Sequence, residues 1–317
     1  MGKPEVIGID MFLIDDHDLG RSNRTGTTVL LGDKIALIET CASPSLPYII
    51  EGLMHLNISV NDIAYIIITH IHLDHAGAAG LLMELCPNAT LLVHPRGARH
   101  LIDPSRLISG AQYVYGDRFD PLFGPIVPVA KDRILTMQDG DFLQLSNERT
   151  LTFYDTPGHA KHHLSIHDSL TNGVFVGDTI GVYYKELQDC NVELYLPSTS
   201  PSQFDPAAML HSLQRIMDLR PQYIFFGHYG ASTNIKEIAS QLAYWLPRFI
   251  EEGTSIAQRE IKNQHIVSLL SEQMLYEVAT YLTGKNVPST HAVYEILKLD
   301  MEVCAMGILD YLTKLKA

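Results

Sequence analysis

The stretch of this chain that most restricts its fold is an apolar run followed at once by a dense group of polar side chains. Residues 63–68 (Ile-Ala-Tyr-Ile-Ile-Ile) are short, rich in β-branched side chains and bounded by polar residues, so they predict a buried strand. Residues 70–75 (His-Ile-His-Leu-Asp-His) follow after a single threonine. The histidines therefore lie on the turn that leaves the carboxyl end of a strand, where open sheets place ligand sites. Residues 76–85 predict a helix that begins close to them.

This turn carries four side chains of the metal-binding type: His70, His72, Asp74 and His75. Neutral imidazole and carboxylate together suit zinc, manganese or iron, and two histidines separated by one residue can bind one ion from a rigid turn. Asp74 and His75 would then face a neighbouring position and bind a second ion. The alternative is a polar turn that is rich in histidine and binds no metal. The density of ligand-type side chains after a buried strand favours the metal site.

The motif His-x-His-x-Asp-His resembles the signature of the metallo-β-lactamase superfamily, and further motifs of that family follow in the same order. Residues 156–159 (Thr-Pro-Gly-His) match its third-histidine motif. Residues 177–179 (Gly-Asp-Thr) match the motif whose aspartate bridges two metals, and residues 226–228 (Phe-Gly-His) match its last histidine. The resemblance implies an α+β fold, an αββα sandwich with a dinuclear metal site on one edge.

The resemblance also implies a complete ligand set for two divalent ions per chain. One ion would be bound by His70, His72 and His159, and the other by Asp74, His75 and His228, with Asp178 bridging both. Zinc is the expected metal, with iron and manganese as alternatives, because the same ligands serve all three.

Other residues are expected beside these ligands. Glu39 ends a predicted strand where family members usually carry the aspartate of Asp-Thr-Gly, which supports the metal site; here Cys41 replaces the glycine. His162 and His163 are interpreted as pocket-wall groups or partners of the ligands, with direct metal binding as the alternative, because a metal-bound imidazole normally needs its other nitrogen held. Tyr183 is a candidate catalytic group that would polarise a carbonyl or protonate a leaving group.

Composition and charge narrow the class of protein. Among 317 residues, 46% are apolar and 19% are charged, as in ordinary globular proteins. The formal net charge of −13 argues against a nucleic-acid partner, because phosphate binding needs clustered lysine and arginine. The chain starts without a signal-peptide pattern and contains no apolar run of about 18 residues or more that predicts a membrane span. The four cysteines are widely spaced, which is typical of reduced thiols and predicts a cytoplasmic protein. We expect it to act on a small molecule and to have neither nucleic acid nor membrane as a partner.

Two parts are predicted along the chain: a metal-binding domain over residues 1–245 and a helical extension over residues 246–317. Apolar residues at three- and four-residue spacing predict helices over residues 233–252, 261–283 and 289–315. In relatives such helices shape the substrate pocket or form a homodimer, and both alternatives are open here. If the helices are an appendage, their removal is expected to change substrate choice or solubility more than metal binding.

Several shorter elements are predicted within the first part. Strands are expected over residues 27–31 and 35–38, and three further strands over residues 134–154 are assigned to a second sheet. The stretch 103–132 is rich in proline, glycine and aromatic residues and predicts an irregular segment. It is either part of the substrate pocket or an aromatic cluster that packs the segment down.

The complete ligand set predicts an enzyme, a metal-dependent hydrolase that cleaves a carboxylic ester, lactone or thioester bond in a small molecule. A hydroxide held between two cations is a competent nucleophile near neutral pH, and Asp74 would orient it or shuttle its proton. One alternative is an iron-dependent oxygenase or oxidoreductase on the same fold. Flavodiiron-like members usually carry glutamate in place of the second histidine, so His72 favours the hydrolase. Another alternative is a ligand-sensing protein whose metal site turns over slowly.

Overall fold

The structure is a computed structural model that describes residues 2–259 and 263–316. Its strands, in chain order, are β1 Glu5–Gly8, β2 Met11–Asp15, β3 Gly26–Leu30, β4 Ile35–Ile38, β5 Ile63–Ile67, β6 Thr90–Val93, β7 Ile134–Thr136, β8 Phe142–Gln144, β9 Thr150–Asp155, β10 Leu164–Asp168, β11 Gly173–Phe175, β12 Val182–Tyr183, β13 Tyr195–Leu196, β14 Tyr223–Phe225 and β15 Ala231–Ser232. Its α-helices are α1 Leu46–His55, α2 Leu73–Ala76, α3 Ala79–Leu85, α4 Pro95–Ile102, α5 Ser105–Tyr115, α6 Phe119–Phe123, α7 Pro206–Asp218, α8 Ile235–Ala257, α9 Asn263–Gly284 and α10 Val293–Lys316.

The chain forms two compact units that alternate along the sequence. The first unit comprises the described residues of Met1–Asp155, His162–Gly177 and Arg220–Thr233. The second unit comprises the described residues of Thr156–Lys161, Asp178–Leu219 and Asn234–Ala317. The predicted division between residues 245 and 246 falls inside α8, a continuous helix in which Trp245 and Leu246 are both buried.

Two sheets form the centre of the first unit. One has the order β1-β2-β3-β4-β5-β6-β7, and the other has the order β15-β14-β11-β10-β9-β8. Strands β4 to β7 are parallel neighbours, and so are β11 and β14. Because parallel strands end at the same edge, the segments that leave β4 and β5 come together, and the segments that leave β11 and β14 do the same.

Alternating apolar side chains bury the facing surfaces of the two sheets. Leu151 and Phe153 of β9 and Leu164 and Ile166 of β10 lie in one core cluster with Leu92 and other residues of the first sheet. Such alternation is what a strand needs to present one apolar face, and sheets that pack face to face interdigitate these side chains. The outer face of the first sheet packs against α1, α3 and α4, so the first unit has a helix layer followed by two sheets.

One buried arginine joins the second sheet to the turns of the first. Arg149 is fully buried, and its Nε donates to Oδ1 of Asp168 at 3.1 Å. Its Nη1 donates to the carbonyl oxygens of Asp10 at 3.1 Å and Leu31 at 2.7 Å, and its Nη2 donates to that of Ile9. A buried charge with this many partners is stable where an isolated one would not be.

The second unit is mainly helical. Helices α8, α9 and α10 pack through buried apolar residues, among them Phe249 of α8, Met274 of α9 and Ile308 of α10. A short antiparallel pair, β12 and β13, belongs to the same unit. None of the helices in the described residues combines the length and apolar character that a membrane crossing requires.

Most of the predicted elements are confirmed. The buried strand over 63–68 is β5, and the strands over 27–31 and 35–38 are β3 and β4. The predicted helices over 233–252 and 289–315 correspond to α8 and α10. The predicted helix over 261–283 begins in residues 261 and 262, which lie outside the described residues, and α9 starts at Asn263.

Two predictions about the middle of the chain are wrong. Residues 103–132 were expected to be irregular but contain helices α5 and α6. The prolines do not interrupt these helices, since Pro104 precedes α5 and Pro121 lies in the first turn of α6. Phe119 and Phe123 are buried in a cluster with Leu73, which favours the packing alternative for these aromatic residues. Strand β7 was assigned to the second sheet but pairs with β6 in the first.

Candidate metal centre

The turn after β5 brings three imidazole rings together. The ring centroid of His70 lies 4.7 Å from that of His72 and 4.2 Å from that of His75. His72 immediately precedes α2, and its carbonyl oxygen accepts the N–H of His75 at 3.0 Å. The short helix therefore turns Asp74 and His75 back towards the end of the strand.

His228 joins Asp74 and His75 from a different strand. It follows β14, and its Nε2 lies 3.5 Å from Oδ2 of Asp74, which is in turn 3.8 Å from Nε2 of His75. One candidate ligand atom from each of the three residues lies within 4.8 Å of the others. His75 and His228 are buried, whereas Asp74 is partly exposed. Two imidazoles and one carboxylate at these separations fit a divalent ion of the zinc, iron or manganese class.

The glycines of two motifs leave room for these imidazoles. A Cβ at Gly177 would lie 2.4 Å from Nε2 of His163 and 2.6 Å from Oγ1 of Thr69, and its φ is +46°. A Cβ at Gly227 would lie 2.6 Å from Cε1 of His75. Only glycine allows the backbone to approach the rings this closely, which explains why glycine precedes Asp178 and His228.

Glu39 lies next to His75, as the sequence predicts. Its carboxylate is buried; Oε1 accepts the N–H of Thr69 at 3.3 Å, and Oε2 is 3.6 Å from Nδ1 of His75. The N–H and the hydroxyl of Thr40 both donate to the carbonyl oxygen of His75, at 2.9 and 3.0 Å. The end of β4 therefore holds both the ring and the backbone of His75, the kind of support that orients a metal-binding imidazole.

His162 and His163 lie beside the same group of rings. The His163 ring stacks on His70 with a centroid distance of 5.1 Å, and the His162 ring is 5.8 Å from that of His72. Nδ1 of His162 also faces the N–H of Ile71 at 3.5 Å. Both histidines are therefore placed where partners of the ligands are expected, and their roles stay predictions.

His159 and Asp178 form a second group, within the second unit. Nε2 of His159 is 3.7 Å from Oδ2 of Asp178. Nδ1 of His159 is 3.0 Å from the carbonyl oxygen of Ser198, and the Ser198 hydroxyl donates to Oδ2 of Asp178 at 3.2 Å. The turn before His159 needs Gly158, because a Cβ there would lie 2.4 Å from Cα of Met209 in α7. That His159 and Asp178 bind the same ions as the histidines of the first unit stays a prediction.

Tyr183, the candidate catalytic tyrosine, lies in strand β12. It pairs with Tyr195 of β13 across the short sheet, and the two rings stack with a centroid distance of 5.0 Å. Its side chain is buried, and its hydroxyl accepts the side-chain N–H of Gln188 at 2.6 Å. These contacts favour a packing role, and the predicted catalytic role is untested.

Asp18, which follows β2, is a buried acidic residue near the site that is not among the predicted site residues. Its side chain is buried, and burial first, then the negative charge of Asp74, raise the pKa of Asp18 to about 6, while Arg24, His228 and His75 lower it. Asp18 therefore lies within electrostatic reach of the candidate ligands. No pattern could have identified it, because the run Asp-Asp-His-Asp after a strand is typical of an exposed turn.

A second cluster of ligand-type residues, in the second unit, is a weaker candidate. Asp189, Cys190 and His291 present ligand atoms within 4.8 Å of one another. However, Nδ1 of His291 accepts the N–H of Val293 at 3.1 Å, so the proton of the neutral ring is on Nε2, which faces Asp189 at 3.1 Å. A nitrogen that carries a proton has no lone pair for a metal, so this cluster is a hydrogen-bonded contact.

Several curated relatives match the chain over part of their own length. A metallo-beta-lactamase fold-containing protein of Sulfurisphaera tokodaii is 28% identical over 169 residues, which are 52% of this chain and 60% of the relative. The N-acyl homoserine lactonase AttM of Rhizobium radiobacter is 28% identical over 56% of this chain and 63% of the relative. A putative diflavin flavoprotein of a Nostoc species is 23% identical over 87% of this chain and 45% of the relative. The matches therefore span less than two thirds of each of these relatives.

The fold agrees with solved structures. A crystal structure of an archaeal metallo-beta-lactamase superfamily protein from Sulfolobus tokodaii superposes with a TM-score of 0.65 at 19% identity, over 95% of this chain and 98% of the other. The predicted α+β fold, an αββα sandwich with additional helices, is confirmed. The family model described as "Metallo-beta-lactamase superfamily" matches residues 23–228, and these contain every predicted metal ligand. The chain belongs to the metallo-beta-lactamase superfamily.

Proposed function

We propose that this protein is a metal-dependent hydrolase that cleaves a carboxylic ester, lactone or thioester bond in a small molecule. The observation that carries the proposal is the convergence of Asp74, His75 and His228, with one ligand atom from each within 4.8 Å of the others. Asp74 and His75 lie in α2, and His228 follows β14. The imidazole of His70, from the turn after β5, lies beside that of His75, and the imidazole of His72 lies beside that of His70. The similarity to AttM, which is named as a lactonase, supports the substrate class.

Each residue around the candidate metal centre has a proposed role. Oε2 of Glu39 lies 3.6 Å from Nδ1 of His75, so we propose that it favours the proton on Nδ1 and leaves the lone pair of Nε2 for the metal. Two divalent ions, with zinc as the proposed metal, would supply a water of lowered pKa and polarise the substrate carbonyl. Asp74 is the partly exposed carboxylate of the group, and we propose that it orients the attacking water and accepts its proton. His159 and Asp178 are proposed to complete the ligand set.

The net charge of the chain supports a small-molecule substrate in preference to a nucleic acid. The formal net charge is −13, which repels phosphate backbones. We therefore keep a small-molecule substrate as part of the proposal; the cytoplasmic location expected from the cysteine pattern is a further part of it.

A second candidate is iron-dependent redox chemistry on the same fold. The similarity to a diflavin flavoprotein over 87% of this chain favours it. His72 favours the hydrolase, because flavodiiron-like members usually carry glutamate at this position. The metal content and the consumption of oxygen distinguish the two candidates.

The test begins with the metal content of the purified protein, measured per chain by elemental analysis. Hydrolysis of N-acyl homoserine lactones, aryl esters and acyl thioesters is then measured with and without a chelator. We expect about two ions per chain, activity that the chelator removes, and a loss of at least about 100-fold in kcat/KM for His72→Ala. His265→Ala, at an exposed position of α9, is the matched control and should behave as the wild type. Full activity of His72→Ala would refute the mechanism, and one iron per chain with oxygen consumption would favour the redox candidate.

A further inference from the structure

We infer that helix α10 positions the metal ligands His159 and Asp178 through Ser198, an inference that rests on the proposed metal binding by these two residues. Neither Ser198 nor α10 belongs to any motif of the ligand set. All the contacts that carry this inference lie within the second unit.

Ser198 contacts both ligands at once. Its carbonyl oxygen only accepts, so the contact of 3.0 Å with Nδ1 of His159 means that this nitrogen carries the proton. Nε2 of His159 then has the lone pair, and it is the nitrogen that faces Asp178. The Ser198 hydroxyl holds Oδ2 of Asp178 at 3.2 Å. One residue therefore sets the tautomer of the imidazole and the orientation of the carboxylate.

The residues on either side of Ser198 are fixed to α10. The Thr199 hydroxyl donates to the carbonyl oxygen of Cys304 at 2.9 Å, and the Cys304 thiol donates to the carbonyl oxygen of Pro197 at 3.6 Å. Gly307 lies against the same segment so closely that a Cβ there would be 1.6 Å from the carbonyl oxygen of Thr199. Glycine inside a helix costs about 1 kcal/mol relative to alanine, and here this close approach requires it.

Further contacts extend along one face of α10. The Tyr184 hydroxyl donates to Oδ2 of Asp300 at 2.7 Å. The rings of Phe204 and Tyr311 are 5.7 Å apart, and Nζ of Lys314 donates to the carbonyl oxygen of Ser202 at 2.6 Å. The helix positions that make these contacts recur every three or four residues, which is the spacing of a single helix face: Asp300, Cys304, Gly307, Tyr311 and Lys314. Four of these five positions therefore contact residues 197–204, the segment that contains Ser198, and Asp300 contacts Tyr184.

The inference contradicts the expectation that the helices are an appendage. If α10 holds Ser198, a change at the contact with α10 alters metal binding although it touches no ligand. Support of this kind typically changes metal affinity by 10- to 100-fold when it is removed.

The test uses four variants of the full chain and one control. Ser198→Ala removes the hydroxyl that holds Asp178, and Ser198→Thr keeps it. Thr199→Val removes the hydrogen bond to Cys304 with little change in shape. Gly307→Ala separates α10 from the segment, and Gly110→Ala is its control, because a Cβ at Gly110 in α5 meets nothing within 4 Å.

Three quantities are measured for each protein: the Kd for Zn²⁺ by competition with a chromophoric chelator, the visible absorption spectrum of the Co²⁺-loaded protein, and the Tm of the metal-free protein. We expect Ser198→Ala and Gly307→Ala to raise the Kd of one ion by about 10-fold or more and to change the Co²⁺ spectrum. Thr199→Val should raise the Kd by a smaller factor, and Ser198→Thr and Gly110→Ala should match the wild type.

A structural role without positioning would lower the Tm and leave the Kd and the Co²⁺ spectrum unchanged, and this result would overturn the inference. If Gly307→Ala fails to fold, Ser198→Ala and Thr199→Val decide the question, because neither introduces a clash. The readouts do not need turnover. A wild-type protein that binds two ions and hydrolyses nothing would refute the proposed reaction, whereas a wild-type Kd in Ser198→Ala would refute only the positioning role.

Discussion

Replacing Arg149 by methionine tests the buried contact between the two sheets of the first unit. Methionine keeps much of the apolar stem of the side chain but removes the guanidinium, which makes an ion pair with Asp168 and donates to three carbonyl oxygens. Asp168 is fully buried, so the variant leaves a carboxylate in the core without its cation.

The magnitude follows from the number of lost partners. Removing one member of a buried ion pair costs about 3–5 kcal/mol, and each carbonyl oxygen left without its donor adds about 1 kcal/mol. The Asp168 carboxylate keeps the Thr171 hydroxyl at 2.7 Å, which offsets part of this cost. We therefore expect Arg149→Met to lower the free energy of unfolding by about 5 kcal/mol, a large part of the 5–15 kcal/mol of a typical domain.

The measurement is urea unfolding at neutral pH, followed by far-UV circular dichroism. Arg248→Met is the matched control, because Arg248 makes a single ion pair with Glu277 at 3.2 Å and its side chain is 44% exposed. An exposed pair of this kind is worth about 1 kcal/mol or less. The double variant Arg149→Met/Asp168→Asn should recover about 1–3 kcal/mol, because the uncompensated charge is gone. Two arginine variants of equal stability would show that the buried network contributes no more than a surface pair.

Two further predictions concern the candidate metal centre. Gly177→Ala should destabilise the protein by more than about 2 kcal/mol and reduce its metal content, because the new Cβ clashes with His163. Gly140→Ala is the control, because Gly140 also has a positive φ but has open space around it. Urea unfolding should show a loss of only about 1 kcal/mol for this control, from backbone strain. A similar loss in both variants would show that backbone strain alone is responsible. The second prediction concerns the metal-free protein, in which the pKa of Asp18 is raised from 3.8 to about 6. Between these two pH values the native state binds more protons than the unfolded state. The free energy of unfolding therefore falls as the pH rises through this window. The fall is on the order of 3 kcal/mol for this residue, and Asp18→Asn should remove it from unfolding curves measured at pH 4.5 and 7; an unchanged pH dependence in that variant would contradict the reasoning.

The parts of the molecule that the sequence predicts are those in which local pattern and tertiary contact agree. Strand β5 is apolar throughout because it is buried on both faces, and the histidines after it are adjacent in sequence as well as in space. Glu39 could also be placed, because it stands where members of the similar family carry a supporting aspartate; in the structure it directly follows β4, the parallel neighbour of β5.

Other features depend on contacts that no local pattern reports. The stretch 103–132 is rich in proline and glycine, which indicates a loop by composition, yet Pro104 directly precedes α5 and Pro121 lies in the first turn of α6, where proline is tolerated. The pairing of β7 with β6 is decided by tertiary packing, so its assignment to a sheet could not be read from its residues. Ser198 lies in a polar run between two prolines that predicts a loop, and only its contacts with His159 and Asp178 reveal it.

The contacts along α10 also affect the order in which the chain can acquire its native structure. The hydrogen bonds from Tyr184, Thr199 and Lys314 join residues 105 to 116 positions apart in sequence. During synthesis the segment around Ser198 leaves the ribosome before α10 does, so these long-range contacts can form only after α10 has been made. His159 and Asp178 therefore emerge before the contacts that support them, and we expect the metal uptake proposed for this pair to follow docking of α10.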